Sequence, residues 1–169
     1  MTPAARLAAA ADLLDEIAAG APAEKALTTW GRRARYAGSG DRAAVRDLVF
    51  DVLRQRRSCA ARGAGETGRA LVLGLLRARG EEPARWFTGE RHALAPLTAA
   101  EAASGRAPAG WEALDVPDWL GPRFAASLGD DTEAVCAALR ARGPLFLRGH
   151  AGRTDVEGAV AALARDGIV

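Results

Sequence analysis

A mainly α protein, a helical bundle followed by a truncated α/β (strand–helix) segment, is predicted by three observations. Hydrophobic residues make up 49% of the chain and aromatics only 5%. Alanine and leucine dominate that apolar share, and both enter helices at little cost, whereas β-branched residues lose side-chain freedom there. Apolar positions also recur at three- and four-residue spacing along successive segments, and just one stretch, Leu145-Phe146-Leu147, reads as a strand. An all-β fold is excluded, and 169 residues suffice for one well-buried domain with a small appendage.

The elements follow in order. Thr2-Pro3 is a cap followed by proline at the first helical position, Leu7, Ala10, Leu14, Ile17 and Ala18 form a buried stripe, and Gly20 ends the helix. Ala21-Pro22 restarts a helix with Leu27 and Trp30 inward and Arg32, Arg33 and Arg35 near its end, where cations also complement the helix dipole. After the Ala37–Gly40 loop, capped by Ser39 or Asp41, the helix from Asp41 to Arg57 is the centre of the chain. Val45, Leu48, Val49, Val52 and Leu53 share its core-facing arc. Arg42, Arg46, Phe50 and Arg54 follow at i, i+4 spacing on one flank, with Arg57 a turn further on and Asp47 and Asp51 on another side. That gives one helix a greasy face and a basic ridge.

Gly63, Gly65 and Gly68 match G-x-G-x-x-G, but an Arg-rich helix precedes them where a dinucleotide or methyl-donor loop needs a strand, so they read as a turn. Arg69 to Arg79 is apolar nearly all round and reads as a central, buried helix. Glu82-Pro83 begins a short helix with Trp86 and Phe87, and Thr98 with Glu101 makes a capping box. His92 reads as a surface residue with no second metal ligand beside it. Ser104 to Gly110 is the linker, dividing residues 1–110 from 111–169. Beyond it, Val116 to Leu120 opens a helix, Asp130 and Glu133 cap another to about Arg142, and Thr154 with Glu157 caps a last one to about Arg165. Gly167-Ile168-Val169 looks like a second strand beginning, which reads as the front part of a longer protein.

Cys59 and Cys136 have no C-x-x-C partner and read as buried small apolar residues in a reducing compartment. Arg6, Asp12, Asp15 and Glu16 break up the N-terminal apolar run, and no stretch approaches the roughly 20 apolar residues of a membrane span, so a soluble, cytoplasmic protein without membrane contact is expected. Net charge is +2, yet from Thr28 to Ala70 ten arginines stand against four acids, while the remainder carries −4. Such asymmetry is the footprint of a patch for phosphates or for an acidic partner.

Four stretches in this order resemble the N-terminal region of the RsmB/Sun-type rRNA (cytosine-5) methyltransferases, and more widely the NusB-like helical fold. AARLAAAADLLDEI is similar to the opening helix, DRAAVRDLVFDVLRQ to the arginine-bearing hallmark helix, and RALVLGLLR to the buried third helix. VPDWL, followed by GPLFLRGH, resembles the Pro-x-Trp-Leu and Leu-Arg-Val-Asn motifs that lead into the catalytic part, with Gly149 and His150 replacing the valine and asparagine. The resemblance implies a NusB-like RNA-binding domain over residues 1–110, then a linker and incomplete αβα subdomain over 111–169. It also implies S-adenosylmethionine for the full-length protein, with no cofactor in this chain. Neither Cys59 nor Cys136 sits in a setting like those of the family's catalytic cysteines, so no catalytic residue is assigned.

The expected function is therefore RNA binding, with ribosomal RNA and a catalytic domain in cis as partners. The candidate RNA-binding residues are Arg42, Arg46, Arg54 and Arg57, with Arg32, Arg33 and Arg35 as a second cluster. Phe50 serves either as a stacking platform or, more in keeping with its flank, as packing. The alternatives are a NusB-like antitermination factor or a protein-docking module without RNA binding. An unpaired Leu145–Leu147 strand would also offer an edge for a dimer.

Overall fold

The computed structural model describes residues 1–144, 146–165 and 167. Pro3–Ala18 forms α1, where the Ala5 N–H donates to Thr2 Oγ1 at 3.2 Å and Leu7, Ala10, Ala11, Leu13 and Leu14 are buried. Ala23–Arg33 forms α2, with Ala26 and Leu27 buried and Trp30 packed against the core. Ser39–Arg54 forms α3 and buries Val45, Val49 and Val52, with Leu48 and Leu53 partly covered. Gly38 is its cap residue, and the Gly38 N–H donates to Asp41 Oδ2 at 3.1 Å. The predicted helix from Asp41 to Arg57 breaks at Gln55, and Arg56–Gly63 forms a separate helix, α4.

Gly68–Ala78 forms α5, which Thr67 caps by accepting the Ala70 N–H. Leu71 to Leu76 are buried without interruption. A helix with no polar stripe must be covered on every side, and α1, α3 and α4 all pack against it. Burying each of its leucines stabilises the bundle by roughly 1.5–3 kcal/mol. Backbones approach closely where glycine removes the obstacle. A Cβ at Gly74 would overlap the Cys59 carbonyl, one at Gly63 the Ala70 carbonyl, and one at Gly68 the Ala11 carbonyl. Two of the three glycines of the G-x-G-x-x-G match, Gly63 and Gly68, thus serve close backbone packing between helices.

The segments that follow pack only in part on this bundle. A single 3₁₀ turn, Pro83–Arg85, replaces the short helix expected there and buries Phe87. Ala99–Ala103 forms α6 with the predicted Thr98–Glu101 capping box. Arg69 holds Glu101 with two bonds of 2.6 and 3.0 Å, donates to the Ala95 and Pro96 carbonyls, and lies 4.7 Å over the Phe87 ring. The Arg69 hydrogen bond, assisted by the Thr98 N–H, draws the Glu101 carboxyl down from 4.5 to about 2. A carboxyl depressed on folding stabilises the protein fully above pH 4.5 and loses that contribution as the pH falls toward 2. Glu101→Gln is therefore expected to melt below the wild type at about pH 6 and to converge with it at about pH 2.5 in thermal denaturation followed by circular dichroism.

Ser104 to Gly110 crosses back over α4, where the Arg106 N–H donates to the Ala61 carbonyl at 3.0 Å. Gly121–Leu128 forms α7, starting after the Pro117–Leu120 turn, and Thr132–Arg140 forms α8, which touches α3. Asp131 stands at the α8 cap without a side-chain bond, and Thr132 Oγ1 donates to the Gly129 carbonyl at 2.6 Å, in place of the Asp130–Glu133 cap expected. Val156–Arg165 forms α9, where Asp155 Oδ1 accepts the Gly158 N–H at 2.7 Å in place of the predicted Thr154–Glu157 box.

The predicted strand is corrected. Leu145 lies outside the described residues, Phe146 and Leu147 are irregular and 87% and 60% exposed, and no strand occurs among the described residues. Local β propensity has nothing to pair with here, so water serves these backbone groups better than an unmatched edge. The dimer expected through that edge has no strand at Phe146 and Leu147 to use. Ile168 and Val169, the second expected strand, lie outside the described residues. Among the described residues no helix is long and apolar enough to cross a membrane, and no group of three His, Cys, Asp or Glu side chains is placed to hold a metal.

Candidate nucleic-acid interface

The basic ridge divides into arginines that hold the fold together and arginines that face solvent. Arg54 pairs with Asp51, whose other oxygen takes Arg79 of the region following α5 at 2.6 Å. Arg54 Nε is buried without a partner among the described residues, and the side chain is 26% exposed. Helical spacing placed Asp51 on another side, but at i, i+3 a long guanidinium curls back to reach it. Asp47 likewise lies 3.5 Å from Arg46 and 3.8 Å from Arg142. The expectation that the acids leave the arginine row unneutralised is corrected for this half of the helix. Phe50 is partly buried and packs against the core cluster.

Arg57 leaves the ridge altogether. The break at Gln55 puts it on α4, where it donates to the Val116 carbonyl and to Asp118 Oδ1, the latter at 2.8 Å. Next to it, Asp115 adopts a left-handed backbone, φ 59°, which Asp tolerates better than most residues. Its carboxylate accepts the Ser58 N–H at 2.8 Å and the Ser58 hydroxyl at 2.9 Å, and lies 3.5 Å from Arg140. With a side chain only 3% exposed, Asp115 ties α4, α8 and the connecting segment into one knot. Removing a buried charged acceptor costs about 2–4 kcal/mol. Asp115→Ala is therefore expected to raise amide hydrogen exchange across residues 111–140 while Leu71 to Leu76 keep their protection. Equal acceleration in both regions would contradict this division.

Arg46 stays exposed beside Asp47, and four other solvent-facing arginines gather at the corner between α2 and α3. Arg32 and Arg33 occupy the last turn of α2, Arg35 lies in the connecting turn, and Arg42 is in the first turns of α3. All four are exposed, and among the described residues none takes part in an ion pair. Arg42 reaches across to α2, since a Cβ placed on Gly31 would lie 3.7 Å from Arg42 Cδ. The single acid between Thr28 and Arg46 is Asp41, and its charge is already answered. It accepts from the N-terminal amine at 3.1 Å and from Arg6 at 2.8 Å. The amine's hydrogen bond, with help from the Gly38 N–H and Arg6, draws the Asp41 carboxyl below its ordinary range. The corner is left with a concentrated positive field.

Tyr36 lies in the turn next to Arg35, 72% exposed, and the sequence reading did not single it out. The signal available was Ala-Arg-Tyr-Ala, two small anchors around an arginine and an aromatic. Burial pushes the Cys59 thiol up to about 12, with the Asp115 carboxylate adding to the effect, and Cys136 is also buried, so neither thiol is a nucleophile here. Compared with family models, curated proteins and solved structures, the chain matches none.

Proposed function

We propose that this chain is the RNA-binding region of an S-adenosylmethionine-dependent rRNA cytosine-5 methyltransferase, with the chemistry carried outside these residues. The observation that supports RNA binding is the gathering of Arg32, Arg33, Arg35 and Arg42, exposed and, among the described residues, outside any ion pair, at one corner of the bundle. The methyltransferase context rests on the ordered resemblance of the four sequence stretches. Guanidinium groups bind phosphates through paired N–H donors, and each engaged phosphate releases counterions. Four phosphates on a single strand give a slope of log K against log salt of about −2.8.

Fluorescence anisotropy with a labelled rRNA fragment tests the reading. Binding near 50 mM salt that weakens about 50-fold by 200 mM is expected. Absence of binding at the lower salt, together with capture of an acidic protein surface, overturns RNA binding in favour of a docking module.

A further inference from the structure

We propose that the Ala34–Ala37 turn is a stacking site for an unpaired RNA base, with Tyr36 as the platform and the surrounding arginines on the flanking phosphates. The inference rests on the RNA-binding reading above and adds to it the class of RNA recognised.

The turn is held from both ends. The Ala37 N–H donates to the Ala34 carbonyl at 3.0 Å, and both alanines are 3% exposed, sunk into the bundle. Two buried anchors three residues apart force the intervening residues, Arg35 and Tyr36, outward at the tip. The Arg35 N–H donates to the Arg33 carbonyl at 2.9 Å, which ties the turn to the end of α2. A ring mounted on so short a bridge loses little backbone freedom when a ligand arrives, and tyrosine has only two side-chain torsions to fix.

The ring is also uncovered. The arginines that lie over aromatic faces are Arg69 over Phe87 and Arg123 over Trp119, and among the described residues no guanidinium sits on Tyr36. The ring is thus left exposed beside Arg35, on the turn that joins the end of α2, with Arg32 and Arg33, to α3, with Arg42. Duplex RNA presents a phosphate surface to such a corner but keeps its bases stacked, whereas a loop or single strand can set one base on the ring. Stacking on an aromatic side chain contributes about 1–3 kcal/mol per base and tolerates any sequence. An acidic protein segment would satisfy the arginines but supplies no base plane for the ring to stack on, so the pairing of phosphate-binding cations with an exposed aromatic fits unpaired RNA.

The test compares wild type, Tyr36→Ala and Tyr36→Phe against a single-stranded 12-nucleotide RNA and a blunt RNA duplex of equal length. Tyr36→Ala is expected to lower single-strand affinity roughly 5- to 150-fold, to leave duplex affinity unchanged, and to be rescued by Tyr36→Phe. Tyr36 is the one tyrosine in the chain, so ring-labelled tyrosine gives a single set of NMR signals, which should move upfield when the single strand binds. If the wild type binds both RNAs and Tyr36→Ala changes neither affinity, the stacking site is wrong while RNA binding stands. If the wild type binds neither RNA, both readings fail. Binding to a poly-glutamate peptide that the Tyr36 signals do not sense, with no binding to RNA, would assign the corner to a protein partner instead.

Discussion

Gly74→Ala is expected to unfold the bundle or cost it at least about 3 kcal/mol. By helix propensity alone the change should help, since alanine exceeds glycine in a helix interior by about 1 kcal/mol. The sign is decided by what the new methyl group meets. At Gly74 it lands on the Cys59 carbonyl and carbon, which are backbone and cannot rotate away. Helices α4 and α5 would have to separate, opening space beside a helix buried from Leu71 to Leu76. Overpacking costs typically 1–3 kcal/mol where side chains can yield, about, and more where backbone must. Set against a total stability of about 5–15 kcal/mol, that is a large fraction. Gly40→Ala is the matching control, because Gly40 lies in α3 with nothing within 4 Å of its would-be Cβ. It should stabilise slightly, by at most about 1 kcal/mol. Urea denaturation of the two variants checks the contrast, and equal effects would show that the packing of α4 on α5 is misjudged.

Reversing Arg33, Arg35 and Arg42 together to glutamate is expected to lower RNA affinity on the order of 10³-fold while leaving the urea midpoint near that of the wild type. Hydrogen bonds to charged groups contribute about 1.5–3 kcal/mol each, so three lost contacts account for at least that factor before repulsion is added. Stability should hold because none of the three side chains is in an ion pair among the described residues. Arg57→Glu makes the opposite demand. It would place a carboxylate against the Val116 carbonyl and Asp118, so it should lower stability first and RNA affinity only through that loss. Charge reversal that weakens binding equally in both variants, at equal stability, would mean the whole basic row is the interface after all.

The helices were legible because their buried stripes repeat with the helical period, and Thr2, Thr67 and Thr98 cap where short polar side chains should. The break at Gln55 was not, since Arg-Gln-Arg-Arg has good helix propensity throughout. What turns the chain there is tertiary: α4 must bring Cys59 and Gly63 onto α5. That same turn carries Arg57 off the ridge, which no helical projection can foresee. Asp115 was equally hidden, because its partners Ser58 and Arg140 lie far away in sequence. Leu145-Phe146-Leu147 misled for the complementary reason, its β-forming residues being a local property while a strand needs a neighbour. At the candidate site, the charge excess between Thr28 and Ala70 was visible in the sequence. Which arginines were free to use it depended on where Asp41, Asp47 and Asp51 reached in three dimensions.

The salt dependence of RNA binding, measured for the wild type and for Arg32, Arg33, Arg35 and Arg42 changed together to alanine, tests the central claim most directly. The wild-type slope of log K against log salt should be about −2.8 and should shrink by about 0.7 for each arginine removed, approaching zero in the quadruple variant. A slope unchanged by the four substitutions would show that phosphates are gripped elsewhere, and the α2–α3 corner would have no part in binding.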